Sequence, residues 1–136
     1  MALFQMTCRM SVVGGEAMPA WSRTALSATT WLESRSFATT AITAFEIRSG
    51  AHSARQRKSV DTLLAAMNIR PFGAEEAQLA ADLRRDLESE GKPIGMADLM
   101  IAAVCIANQG VLLTRNVKHF ERVKALKLSG SMLREK

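Results

Sequence analysis

What this chain of 136 residues has little of narrows the field first. Its two cysteines, Cys8 and Cys105, lie far apart and in no metal-ligand spacing, which argues against a cysteine-based metal centre. Cys105 sits in MIAAVCIA and reads as a small buried hydrophobe, so a reducing, cytoplasmic compartment is expected. No apolar run approaches the roughly 18 residues that a bilayer span needs, so no membrane association is expected. The start lacks a charged stretch followed by an apolar core, so no secretory signal is expected either. Acidic residues are scarce early: Glu16 is the only one in residues 1–30, and no aspartate precedes Asp61.

What is present is ordinary for a soluble globular chain, with 48% apolar and 23% charged residues. The length suits one domain with a real core. The net charge of +5 is unevenly placed. Residues 113–136 hold seven Lys or Arg and two Glu, a surplus of five, while residues 1–112 balance at eleven of each. Such a basic end can attract phosphate backbones, though on charge alone a solvated face is the slightly better reading.

The chain changes texture near residue 37. Between Ser22 and Thr43 ten residues are Ser or Thr, and Gly14-Gly15 and Pro19 interrupt the earlier part. Residues 1–36 therefore read as an atypical segment, poorly ordered or recast. From there, FATTAI is β-branched and leads into a helix, with Thr43-Ala44-Phe45-Glu46 fitting the T-x-x-E capping box. Residues 55–67 predict a second amphipathic helix with Val60, Leu63, Leu64 and Met67 on one face. NIRPF reads as a short strand, and residues 74–90 as a third helix with Ala77, Ala80, Ala81 and Leu87 inward. After the break at Gly91-Lys92-Pro93, residues 96–109 are apolar on nearly every face, which predicts a central buried helix ended by Gly110 at C′. VLLT and LKL are strand-like, with a turn of helix between them. Helices alternating with short apolar strands imply an α/β layer fold.

Asp98 is the only charged residue between Lys92 and Arg115, and apolar residues surround it. A carboxylate in such a setting is costly unless it is paired or holds a metal, although a first-turn Asp also suits a helix start. Capping alone accounts for Glu46. Thr114 and Asn116 stand at the C-terminal end of a strand, the edge where open α/β sheets bind ligands, and Asn116 equally suits a turn. Lys118 and Arg115 are natural phosphate contacts or simply a solvated loop. His52 and His119 share no metal-ligand spacing and read as surface or hydrogen-bonded histidines.

In order, the runs TTAITAFEIRSGA, GKPIGMADLMIAA and LLTRNVKHFERV resemble the PIN-domain family, and within it the VapC toxins of bacterial and archaeal toxin–antitoxin pairs. The resemblance covers residues 37–128. It implies a PIN-like three-layer α/β fold with a short central parallel sheet flanked by helices. It also implies an acidic site that binds Mg²⁺ or Mn²⁺ and cuts RNA. Glu46 and Asp98 match the family's second and third acidic positions and its metal ligands. Asn116 matches the fourth, Asp or Asn among relatives. Thr114 matches a loop-ordering hydroxyl, and Arg115 and Lys118 fall where RNA contacts are expected. A cognate antitoxin and a homodimer are further family expectations, the second given slight support by the apolar faces of helices 55–67 and 74–90.

The family begins with an apolar strand ending in Asp-x-Asn, whose Asp holds the metal, and nothing here supplies that Asp. Residues 37–136 are accordingly expected to form a PIN-like domain lacking its usual first strand, with residues 1–36 either recast by a frameshift or start-site artefact or native to a natural variant. Two functions follow from the resemblance: an endoribonuclease toxin neutralised by its antitoxin, or an impaired relative that binds antitoxin or RNA without cutting. Outside the family stands a helical interaction module, in which Glu46 and Asp98 merely start helices.

Overall fold

The computed structural model of the chain describes residues 9–11, 37–114 and 116–128. Its strands are β1 (Arg9–Ser11), β2 (Phe37–Thr40), β3 (Asn68–Arg70), β4 (Val111–Leu113) and β5 (Lys127–Leu128). Its helices are α1 (Ala41–Ser49), α2 (Ala54–Ala65), α3 (Ala74–Ser89), α4 (Met96–Ala107) and α5 (Val117–Phe120). None of the described helices is long and apolar enough to cross a membrane.

The strands form one sheet in the order β3-β2-β1-β4-β5. β2 pairs parallel with β3, and β4 with β5. β1 lies between β2 and β4 and runs antiparallel to both. The sheet is therefore four mutually parallel strands, in keeping with the short parallel sheet expected, around one reversed strand from within residues 1–36. The reason is hydrogen-bond accounting. With nothing between them, β2 and β4 would each leave a row of backbone N–H and C=O groups unpaired in the core. An extended segment meets that need in either direction. Because β2 and β4 both oppose β1, their C-terminal ends emerge at the same edge.

The core is built on α4. Ala102, Ala103, Val104 and Cys105 are each 0% exposed, as the all-round apolar pattern predicts. With Leu99 and Ile101 of the same helix, Ala102, Val104 and Cys105 pack against Ala38, Leu87, Leu112, Phe120, Val123 and Leu126. Each fully buried large side chain contributes on the order of 1.5–3 kcal/mol relative to exposure. A smaller cluster of Ala44, Ile47, Val60 and Leu64 joins α1 to α2, and the exposed Arg48–Asp61 ion pair closes over it. On α3 the inward stripe is Ala80, Leu83 and Leu87, while Ala77 and Ala81 are exposed. The two leucines cover the core and leave those alanines to solvent.

Two helix boundaries differ from the sequence reading. The capping box expected at Thr43 does not form: α1 starts earlier, with Thr40 as N-cap. Thr40 Oγ1 accepts the Thr43 N–H at 3.0 Å and lies 3.0 Å from Thr43 Oγ1. Thr40 ends β2 in extended geometry, so strand and helix join with no loop. The C′ residue of α4 is Gln109, at φ 54°, and not Gly110. Gly110 stands one position later, donating its N–H to Cys105 O at 2.8 Å while Gln109 donates to Ile106 O at 3.0 Å. This is the Schellman pattern shifted by one residue. α3 ends the same way with Gly91 at φ 71°.

Because Thr40 and not Thr43 caps α1, Thr40→Ala should destabilise the fold by about 1–2 kcal/mol in urea unfolding. The account of this boundary fails if Thr40→Ala is neutral.

Candidate active site

The sheet edge positions the site. α4 runs back from this edge to the start of β4, so its first turn, which carries Asp98, lies beside the C-terminal ends of β2 and β4. α1 springs from the end of β2 and carries Glu46 in its second turn, beyond the capped end. The segment after β4 carries Thr114 and Asn116. Three stretches distant in sequence thus meet at one edge, the usual ligand edge of an α/β sheet.

The side chains connect there. Thr114 is 3% exposed, and its Oγ1 accepts the Asn116 N–H at 3.0 Å, which fixes the turn after β4. The Asn116 side-chain amide lies 2.8 Å from His119 Nδ1. That ring nitrogen lies 3.2 Å from Asp98 Oδ2. Asp98 is only partly buried, its side chain 23% exposed, so it stands at the open end of an otherwise enclosed helix. Glu46 is half-buried and close enough to feel Asp98's charge. Its carboxyl is pushed above the ordinary carboxylate range, first by burial and second by the like charge of Asp98.

Glu46, Asp98, Asn116 and Thr114 therefore share one edge, and the helix-start explanation of Glu46 does not hold, since it makes no cap. Lys118 is exposed on α5, one residue from His119. Arg115 lies outside the described residues. His119 is the residue that sequence reasoning set aside. Its spacing to His52 said nothing, but its place three residues after Asn116, on one turn of helix, was the available signal. Part of the C-terminal positive charge is committed to structure. Arg122 Nη1 donates to Pro93 O at 2.9 Å and Lys124 Nζ lies 3.3 Å from Glu90 Oε1, both holding the chain after α5 against the α3–α4 turn.

The donor set is two carboxylates and an amide. No Lys or Arg among the described residues pairs with either carboxylate. No three His, Cys, Asp or Glu among the described residues form a group that could hold a metal by themselves. Hard oxygen donors, negative charge and one or two carboxylates suit Mg²⁺ or Mn²⁺, ions that keep several waters.

Comparison with known proteins bears on the family and the fold. The PIN domain model matches residues 15–126, beginning ahead of residue 37, where the motif resemblance starts. Ribonuclease VapC2 of Rickettsia felis is 30% identical over 98 residues, 69% of this chain and 73% of that protein. The solved structure of VapBC2 from Rickettsia felis, bound to a DNA fragment from their promoter, aligns with a TM-score of 0.62 at 34% identity, over 67% of this chain and 71% of that one. VapBC-5 of Mycobacterium tuberculosis, from the VapBC family of toxin-antitoxin systems, aligns at 0.58 with 25% identity, over 67% and 79% of the two chains.

A raised carboxyl has a definite sign in stability. Between the ordinary carboxylate midpoint and the raised one, the folded state binds the Glu46 proton more than the unfolded state does. Stability therefore falls as pH rises through that window, and the charged Glu46 is a net cost above it. Glu46→Gln is expected to raise the melting temperature near neutral pH, with the gain shrinking as pH falls below the carboxylate range. A melting temperature lowered by this substitution at neutral pH would contradict the crowded-carboxylate description.

Proposed function

We propose, from the premise that this chain belongs to the VapC ribonucleases of the PIN-domain family, that it is a metal-dependent endoribonuclease toxin. It would hydrolyse phosphodiester bonds of RNA and be neutralised by a cognate antitoxin, working as a homodimer. The observation that carries this reading is the convergence of Glu46 and Asp98, with the Asn116 amide beside them, at the ligand edge of the sheet.

Asp98 and Glu46 would hold Mg²⁺ or Mn²⁺, and their mutual repulsion favours a cation between them. Bound there, the ion would supply Lewis acidity at the scissile phosphate and stabilise the charge that develops on it. Asn116 offers a neutral amide whose position Thr114 sets through the turn after β4. Lys118, exposed beside this turn, would offer a phosphate contact, as would Arg115 three residues before it in sequence. The half-buried position of Glu46 reduces the water around the site and strengthens each of these interactions.

A second reading has its own observation. The described residues give the site two carboxylates, and Asn116 adds no charge. An impaired relative that binds antitoxin or RNA without cutting would show this same set.

Incubating the purified chain with RNA, with and without Mg²⁺ or Mn²⁺, separates the two. Cleavage that chelation stops is expected, and Asp98→Asn should slow it by about a hundredfold or more, the size of losing one electrostatic stabiliser. Undiminished cleavage in that variant would sink the site assignment. A chain that binds antitoxin yet cuts nothing under any of these conditions supports the second reading.

A further inference from the structure

His119 is not part of the donor set described above, yet it touches two of its members. α5 is one short turn, and Phe120, 0% exposed, anchors it in the core. The neighbouring imidazole is thereby held over the start of α4, its Nδ1 3.2 Å from Asp98 Oδ2 and 2.8 Å from the Asn116 side-chain amide. We infer that His119 is a positioning residue of this site, whose Nδ1–H donates to Asp98 and locks the Asp98 carboxylate and Asn116 amide in one arrangement. The inference rests on the reading of Asp98 as a cation-holding carboxylate.

Hydrogen-bond chemistry decides the direction. An ionised carboxylate only accepts, so the Asp98 contact requires the proton on Nδ1. An amide nitrogen only donates, so Asn116 Nδ2 facing the same ring atom would require Nδ1 to be bare. One ring nitrogen cannot do both. Rotating the Asn116 amide exchanges its oxygen and nitrogen at almost no steric cost. With Asn116 Oδ1 toward the ring, a single Nδ1–H serves both Asp98 and Asn116. With Nδ2 toward the ring, Asp98 Oδ2 would face a lone pair at 3.2 Å. The negative charge of Asp98 therefore selects the Nδ1–H form, and that form fixes the Asn116 amide in turn. One Asp98 oxygen is engaged by the imidazole and the other is left for a ligand. Such outer partners fix ligand orientation at metal sites, and removing one costs roughly 10–100-fold in metal affinity.

The chain has two histidines, so the ring nitrogens are readily assigned by ¹⁵N NMR with His52→Gln as reference. At a pH where both rings are neutral, His119 is expected to carry its proton on Nδ1. Asp98→Ala removes the charge that selects the Nδ1–H form, so the Nε2–H form should gain population as the Asn116 amide becomes free to present either end. An Nε2–H form in the wild-type chain, or an Nδ1–H population left unchanged by Asp98→Ala, overturns the inference. Binding of Mn²⁺ alone, followed by calorimetry, gives a second readout. His119→Ala should weaken it roughly 10–100-fold. His119→Asn, whose amide nitrogen reaches the place of Nδ1, should recover most of the loss, and His119→Gln, which reaches the place of Nε2, should not. Equal Mn²⁺ affinity in the wild type and in His119→Ala also overturns it. The two levels fail separately: a chain with the expected tautomer that cuts no RNA keeps the role of His119 and loses the ribonuclease reading. A chain that cuts RNA with an Nε2–H ring does the reverse.

Discussion

Two like charges held at one sheet edge are the constraint on which the rest of this structure depends. Glu46 and Asp98 reach each other's field from different helices, and no Lys or Arg of the described residues pairs with either. Their compensation is unequal. Asp98 lies in the first turn of α4, where the helix N-terminus favours negative charge, and it has the imidazole of His119 within reach. Glu46 lies beyond the first turn of α1 and has neither. It is the carboxyl that burial and its neighbour push upward. An arrangement that costs stability and is rigidly enforced suits the cation-holding role proposed for this edge.

Its enforcement comes from the core. α4 is enclosed on nearly all faces, so its first turn cannot shift without disturbing Ile101, Val104 and Leu112. Phe120 pins α5, and the Arg122 and Lys124 contacts tie the following segment to the α3–α4 turn. β2 passes straight into α1 through the Thr40 cap, which leaves no loop to absorb movement of Glu46. The reversed β1 keeps β2 and β4 at sheet spacing, and so keeps the ends of those strands a fixed distance apart.

Much of this was legible in the sequence. The apolar run around Asp98 announced both a central helix and an unusual carboxylate, because periodicity and burial cost act locally. Short strands and the breaks at Gly91 and Pro93 could be read for the same reason. The direction of β1 could not, since pairing of non-adjacent segments leaves no local mark. The T-x-x-E pattern pointed to Thr43 as the cap, and the cap fell at Thr40 because β2 stops there. The displaced αL residue at Gln109 is similar: glycine is the default there, yet the helix ended one residue sooner. His119 was missed because Asp98 is brought to it by α4 and not by any spacing in the chain; its place three residues after Asn116 was the one local signal.

The central claim is that Glu46 and Asp98 share one electrostatic site. Following the Glu46 carboxyl by ¹³C NMR through a pH titration tests it directly, in the wild-type chain and in Asp98→Asn. The wild-type midpoint should lie above the ordinary glutamate range, fall when Asp98 is neutralised, and stay partly raised there because burial is the larger cause. A Glu46 that titrates identically with and without the Asp98 charge would show that the two carboxylates do not form a site.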